Sequence, residues 1–237
     1  MHSGLRIISP GIWTGLWIAT LAVFAASLGA LFVFAPLDES AGPSQKIIYI
    51  HLPVALNMIP TICVMFVASI GYLWQQRLVW DDLAMAAGKV TVLLCTVALV
   101  SGVFLSKAVW GQWWVWSPRL IFTLALWGVY AFYLLLRVLI KSPERRATMC
   151  AVYGLAAFLD VPLVYLFVNL MPDIHPAQLT LGPTMRTTLA LTLIPVTLLT
   201  AGLVAAKFQI NRRLRALAED PPTPGVVMTR SPLSGGC

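Results

Sequence analysis

The sequence predicts an all-α protein that crosses a membrane six times, and three observations carry this prediction. Apolar side chains make up 59% of the 237 residues, whereas charged side chains make up only 11%. The apolar residues come in unbroken blocks about 20 residues long, the length a helix needs to cross roughly 30 Å of hydrocarbon. A transmembrane β-barrel would instead alternate apolar and polar residues. The composition therefore excludes an ordinary water-soluble domain.

Clusters of charged and turn residues separate six candidate spans. The first span follows Arg6 and is too long for the apolar region of a signal peptide, so we expect it to be retained. Proline lies within several spans, at Pro60, Pro162 and Pro195, and predicts kinks there. The predicted spans are residues 12–35, 48–75, 83–106, 120–140, 149–171 and 185–208.

The distribution of lysine and arginine predicts the orientation. Segments on the side of the two termini carry eleven of these residues and segments on the other side carry four, with Lys89 inside the third span. Because basic loops stay in the cytoplasm, we expect both termini to be cytoplasmic. In this setting the net charge of +7 indicates cytoplasmic loops rather than nucleic-acid binding. The segments predicted to face the periplasm are 36–47, 107–119 and 172–184.

Two regions of unequal length follow from this pattern. Residues 1–218 are predicted to form one six-span membrane domain, which includes a tryptophan-rich periplasmic loop at 107–119. Residues 219–237, with the sequence EDPPTPGVVMTRSPLSGGC, have too little apolar content to fold. We therefore expect a disordered cytoplasmic tail.

Histidine and tryptophan gather at the predicted periplasmic surface. The sequence VWGQWWVWSPRL, residues 109–120, holds four tryptophans within seven residues. His51 is expected in the first turn of the second span, and His175 just before the sixth. One interpretation is structural, because indoles anchor proteins at membrane interfaces and a lone histidine at a span end often makes only a hydrogen bond.

A single haem would explain these residues together. Its flat apolar ring packs against indole faces, its iron takes two axial imidazoles and its propionates pair with cations. We therefore predict that His51 and His175 ligate haem iron. No CxxCH motif is present, so the haem is expected to be haem b, held without covalent bonds. The indoles and cations available at this surface are Trp110, Trp113, Trp114, Trp116, Arg119, Lys46, Lys107 and Arg186.

Three motifs carry a resemblance to a known family. They are YIHLP at 49–53, WGQWWVW at 110–116 followed by Arg119-Leu120, and IHPA at 174–177. In these motifs the sequence resembles the haem-handling membrane proteins that share a tryptophan-rich "WWD" segment, and among them the six-span haem exporter protein C (CcmC) family of cytochrome c maturation. The resemblance covers all six spans. It implies that His51 and His175 are the axial ligands and that the four indoles form the haem platform.

The resemblance also implies a biological role. A protein of this kind is a transfer platform and not an enzyme, and it holds haem at the periplasmic face of the bacterial inner membrane. It presents haem to the haem chaperone CcmE, with the help of the small subunit CcmD and the ABC-type transporter CcmA/CcmB.

The sequence departs from the family pattern after the last tryptophan. Family members usually have Asp-Ala there, whereas this chain has Ser117-Pro118. The change removes a charge that could pair with Arg119 or contact the chaperone. Ser117 is instead predicted to cap the fourth span, with Pro118 as its first helical residue.

Two other classes of protein compete with this prediction. Asp160 lies alone in the middle of the fifth span, beside Pro162, and would suit a proton- or ion-coupled transporter. Transporters, however, gather polar groups near the bilayer midplane, whereas here they gather at one surface. The third class is a structural subunit without a ligand, whose tryptophans and histidines serve only as anchors.

Overall fold

The computed structural model of the chain describes residues 10–34, 43–170 and 182–219. Every regular element within these ranges is a helix, and six helical spans are long and apolar enough to cross a membrane. The predicted polytopic all-α fold is therefore confirmed. The α-helices are α1 (Pro10–Phe34), α2 (Ile48–Gln75), α3 (Leu78–Trp110), α4 (Pro118–Leu139), α5 (Pro143–Phe158), α6 (Asp160–Leu170) and α7 (Pro183–Glu219), with a 3-10 turn over Pro43–Ile47.

The third span is longer than predicted, because α3 extends beyond 83–106 at both ends. Its first turns accommodate Asp81 and Asp82, whose charges are paired with arginines rather than exposed in a loop. At the other end Lys107 lies in the last turn, where a cation is favourable. The predicted loop at 107–119 is correspondingly too long. Only residues 111–117, which we call the tryptophan loop, lie between α3 and α4.

The fifth span consists of two helices, α5 and α6, with a break at Leu159. Pro162 explains the break, since it has no N–H to donate to the carbonyl group of Phe158. The helices α2 and α7 run without a break through Pro60 and Pro195. Of these three prolines, only Pro162 accompanies an interruption.

The centre of the bundle is formed by α2 and α3. α2 packs against α3, α5 and α7, and α4 packs against α3, α5 and α6, while α1 lies mainly against α7. Gly88 on α3 allows α4 to approach closely, because a Cβ atom there would lie 2.7 Å from Cε1 of Tyr133. α3 and α4 are thus in close contact at this point.

A buried ion-pair cluster, consisting of Asp81, Asp82, Arg137 and Arg215, joins α3, α4 and α7. Arg137 Nη1 donates to Asp81 Oδ2 at 3.2 Å, and Arg215 Nη2 donates to Asp82 Oδ1 at 2.7 Å. Arg137 and Arg215 are two of the eleven basic residues that the sequence places in cytoplasmic segments. The structure shows instead that both arginines take part in ion pairs between helices, and that Arg137 is buried, with only 8% of its surface exposed. We call this end of the bundle the ion-pair end, and the opposite end the tryptophan end.

Candidate functional site

A cavity of about 310 Å³ opens at the tryptophan end, between α2, α3 and α4. Most of its wall is apolar, with side chains such as Leu52, Leu99 and Val103. Its polar groups are few and come from three helices: His51 on α2, Trp110 on α3, and Arg119 and Thr123 on α4, with Trp114 from the tryptophan loop. An apolar cavity with a few convergent polar groups is the usual form of a small-molecule site.

His51 is the fourth residue of α2, as the sequence predicted for the first turn of this span. Its Nδ1 atom lies 2.9 Å from Oγ of Ser101 on α3. The Ser101 hydroxyl itself donates to the carbonyl oxygen of Val97 at 2.7 Å. The next residue, Gly102, leaves room for the imidazole, because a Cβ atom there would lie 3.3 Å from Cε1 of His51. Two adjacent residues of α3 therefore define the position of the ring.

The tryptophan loop is held at both ends by hydrogen bonds. Gly111 ends α3 with φ at 74°, a left-handed conformation that glycine adopts readily, and its N–H donates to Lys107 O at 3.1 Å. The buried Ser106 hydroxyl donates to Gln112 O at 2.8 Å. At the far end, Ser117 Oγ accepts from Leu120 N at 3.5 Å, and Pro118 is the first residue of α4. The predicted cap at Ser117 is confirmed.

The structure separates the four predicted indoles into two pairs. Trp110, the last residue of α3, and Trp114 line the cavity. Trp113 and Trp116 lie outside the cavity wall, with 56% and 72% of their surface exposed. Trp116 packs edge-to-face on Trp114, with ring centroids 5.6 Å apart. Two indoles thus form part of the cavity wall. Trp116 extends this aromatic surface outward, whereas Trp113 packs on Phe104, with ring centroids 6.1 Å apart.

The indole nitrogen of Trp114 is a buried donor that makes no hydrogen bond within residues 10–34, 43–170 and 182–219. A buried donor of this kind costs free energy unless an acceptor is supplied. Because Trp114 lines the cavity, a ligand is a possible source of that acceptor.

Of the four cations predicted at this surface, only Arg119 lines the cavity. Lys46 Nζ donates to the carbonyl oxygen of Phe32 at 2.9 Å. Lys107 Nζ donates to Gly111 O at 2.9 Å and lies 5.6 Å from the ring centroid of Trp113. Arg186 belongs to α7 and does not contribute to the cavity wall. Lys46 and Lys107 therefore support the local backbone.

The predictions for His175 and Asp160 have different outcomes. His175 lies outside the described residues, so its role as second ligand stays a prediction. Asp160 is the first residue of α6 and does not line the cavity. Its Oδ2 atom is buried and has no hydrogen-bond partner within the described part of the chain.

Sequence analysis missed Ser101, Gly102 and Ser106. They form a run of small and polar residues in the second half of α3, in the sequence VSGVFLSK. Small residues in a membrane helix commonly mark a close approach of another element. That signal could have indicated a contact on α3, although not that its partner is His51.

The fold and the cavity define a multi-pass helical membrane protein with a histidine- and tryptophan-lined site at one end of its bundle. A sequence model of the family CcmC, "Heme exporter protein C", matches residues 5–220. The chain therefore belongs to the haem exporter protein C family of cytochrome c biogenesis.

Individual relatives agree with this assignment. The chain is 29% identical to "Heme exporter protein C" of Escherichia coli K12 over 205 residues, which cover 83% of each chain. It is 29% identical to the protein of the same name from Bradyrhizobium diazoefficiens over 215 residues, 85% of this chain and 81% of the relative. The Rhodobacter capsulatus protein of that name is 32% identical over 138 residues, 57% of each chain.

Proposed function

We propose that the chain holds haem b in the cavity at the tryptophan end and delivers it for the maturation of c-type cytochromes. The observation that carries this proposal is the position of His51 in a largely apolar cavity that Trp110, Trp114 and Arg119 also line. Membership in the haem exporter protein C family supports haem as the cargo. The haem is substrate here, and no bond-making chemistry is assigned to the chain.

The hydrogen bond to Ser101 supports ligation through Nε2 of His51. Ser101 has one hydroxyl hydrogen, and its 2.7 Å contact with Val97 O uses that hydrogen. The Ser101 oxygen then accepts the hydrogen from Nδ1 of His51 across 2.9 Å. This arrangement selects the imidazole tautomer with a lone pair on Nε2, which is the form that binds a metal. Such hydrogen bonds orient most metal-ligating histidines.

The other groups of the cavity fit the remaining parts of a haem. The apolar wall and the indoles of Trp110 and Trp114 suit the flat ring. The guanidinium group of Arg119 suits a propionate carboxylate. The Trp114 N–H has no acceptor among the described residues. It is therefore available to donate to the other propionate of the haem.

His175 is proposed as the second axial ligand. The start of α7 supports this proposal, because Met185 and Leu189 pack against the cluster of Leu31 and Tyr49, and Tyr49 lies two residues before His51. His175 precedes Pro183 by eight residues. An extended chain of that length spans at most roughly 25 Å, which limits how far His175 can lie from the start of α7.

Transfer of haem to a partner is the finer part of the proposal. We infer that the tryptophan end faces the periplasm at the bacterial inner membrane and presents haem to the chaperone CcmE, with CcmD and CcmA/CcmB as further partners. The exposed indoles of Trp113 and Trp116 support this, because large apolar groups at a cavity mouth are typical of contact surfaces. The four-indole haem platform, with Trp113 and Trp116 included, belongs to the same proposal.

A titration of the purified chain tests haem binding first and delivery to CcmE second. Haem b is added to the chain in detergent, the Soret absorption is recorded, and purified CcmE is then added and separated by its affinity tag. We expect the chain to bind haem and haem to move to CcmE. Absence of a Soret shift in a folded chain would refute the cavity proposal. Binding without transfer would refute only delivery to CcmE.

The transporter alternative depends on Asp160 and is tested in the same assay. Asp160→Asn removes the ionisable group and keeps the shape of the side chain. Because Asp160 does not line the cavity, we expect this variant to bind and release haem as the unmodified chain does. A folded chain that binds no haem in this assay would favour the alternative, because a transporter of this kind needs no haem.

A further inference from the structure

Two lysines lie beside the contact between α3 and α7, outside the haem cavity. The helices run antiparallel there, since Asp82 near the start of α3 meets Arg215 near the end of α7. Val90 and Leu94 of α3 pack with Leu203 and Val204 of α7. Lys89 precedes Val90, and Lys207 follows Leu203 by one turn. Both lysines are exposed. Lys89 follows Asp82 by seven residues and Lys207 precedes Arg215 by eight, so the antiparallel register places the two lysines at about the same level of the two helices.

The charges of neighbouring residues leave this pair without a counter-ion. Asp81 and Asp82 are the carboxylates closest in sequence to Lys89, and both already bind Arg137 or Arg215. Neither lysine makes an ion pair or a hydrogen bond with another residue in the described ranges. The two carboxylates and two guanidinium groups of the ion-pair cluster balance each other, so the charge of the lysine pair remains. The pair therefore favours an anion from outside the chain.

The depth of the two residues indicates which anion can reach them. The 33 residues of α3 make a helix about 50 Å long, which exceeds a hydrocarbon core of roughly 30 Å by about 10 Å at each end when centred. Lys89 lies about 17 Å from the start of α3, and Lys207 about 18 Å from the end of α7. With both helices centred in the membrane, their backbones at these residues lie several ångströms inside the core, a depth from which a lysine side chain reaches the headgroup level.

We propose that Lys89 and Lys207 bind the phosphate group of an anionic phospholipid on the lipid-facing side of the contact between α3 and α7. Two ammonium groups from neighbouring helices neutralise a phosphate better than a single one, and basic pockets between membrane helices commonly bind such headgroups. The site lies toward the ion-pair end, which the distribution of charge predicts to be cytoplasmic. It does not depend on haem binding.

The test compares lipid retention by charge-matched double variants. The chain in a neutral detergent is titrated with phosphatidylglycerol, phosphatidylcholine or inorganic phosphate, and bound molecules are counted by native mass spectrometry. The variant Lys89→Gln/Lys207→Gln removes the proposed site. Arg145→Gln/Arg213→Gln removes two exposed positive charges elsewhere and serves as control. Thermal unfolding of each variant verifies that it is folded.

We expect phosphatidylglycerol to bind roughly 30-fold more weakly to Lys89→Gln/Lys207→Gln, from about a fivefold effect per lysine. The control variant should retain the lipid, and phosphatidylcholine should bind weakly to every form. Equal retention by the two double variants would overturn the proposal. Displacement of the lipid by millimolar inorganic phosphate would assign the site to free phosphate instead.

Discussion

The Nδ1 atom of His51 on α2 lies 2.9 Å from the Oγ atom of Ser101 on α3, at the wall of the cavity. This contact joins the two central helices of the bundle and directs the histidine without using a charged residue. The proposed haem site therefore depends on a hydroxyl group inside a membrane helix.

Replacing Ser101 by alanine should weaken haem binding. The variant Ser101→Ala removes the acceptor for the Nδ1 hydrogen of His51, so the imidazole loses its preferred tautomer and orientation. We expect affinity for haem b to fall about 10- to 100-fold, as for other orienting partners of metal ligands. Haem titration followed by absorbance measures this change. Ser27→Ala is the control, because Ser27 Oγ only donates to Phe24 O within α1; an equal loss there would contradict the role of Ser101.

Adding a methyl group at Gly102 should affect haem but not folding. In Gly102→Ala the new Cβ atom lies 3.3 Å from Cε1 of His51, so the ring must shift by a few tenths of an ångström. Gly128→Ala is the matched control, since no atom lies within 4 Å of a Cβ there. Both changes favour the helix by up to about 1 kcal/mol. We expect a haem titration to show weaker binding only in Gly102→Ala. Unchanged affinity in both variants would contradict the prediction, because it would show that haem binding tolerates the shift of the His51 ring.

The indole N–H of Trp114 should contribute to ligand binding. Trp114→Phe keeps an aromatic ring at the cavity wall and removes the buried donor that has no acceptor among the described residues. We expect haem affinity to fall roughly 3- to 10-fold, the usual effect of one hydrogen bond. Trp113→Phe is the comparison, because Trp113 lies outside the cavity wall. If Trp113→Phe had the larger effect in a haem titration, the cavity would not be the binding site.

Breaking the ion-pair cluster should destabilise the whole bundle. Asp81 is 3% exposed, and Asp81→Asn leaves the buried guanidinium group of Arg137 without its carboxylate partner. Removing one partner of a buried ion pair costs roughly 3–5 kcal/mol of unfolding free energy. Thermal unfolding in detergent should show a clearly lowered midpoint. The exposed Glu144→Gln provides a control with the same loss of one carboxylate, and equal midpoints for the two variants would argue against the cluster as a structural element.

Much of the fold follows from the sequence, because the length of an apolar segment depends only on consecutive residues. The second span was predicted at 48–75, and α2 has the same bounds. The cap at Ser117 and Pro118 was equally predictable, since capping depends on adjacent residues. The ends of α3 were not predictable, because Asp81 and Asp82 become helical and buried only through arginines 56 and 133 residues away in sequence.

The site was predictable in its residue types and less so in its arrangement. His51, two tryptophans and Arg119 do line one cavity. The division of the indoles was not foreseen, because it depends on where α3 ends: Trp110 is helical, whereas Trp113 and Trp114 belong to a loop that turns at Gly111. The contact of His51 with Ser101 joins residues 50 positions apart, and no local pattern reveals such a pair.

Axial ligation of one haem by His51 and His175 is the central claim, and spectroscopy of the single variants His51→Ala and His175→Ala tests it most directly. With both ligands present, electron paramagnetic resonance of the ferric form should show low-spin iron with two imidazoles. Each single variant should lose that signal or the haem itself, and added imidazole should restore it. A low-spin bis-imidazole signal that persists unchanged in both variants would contradict the claim.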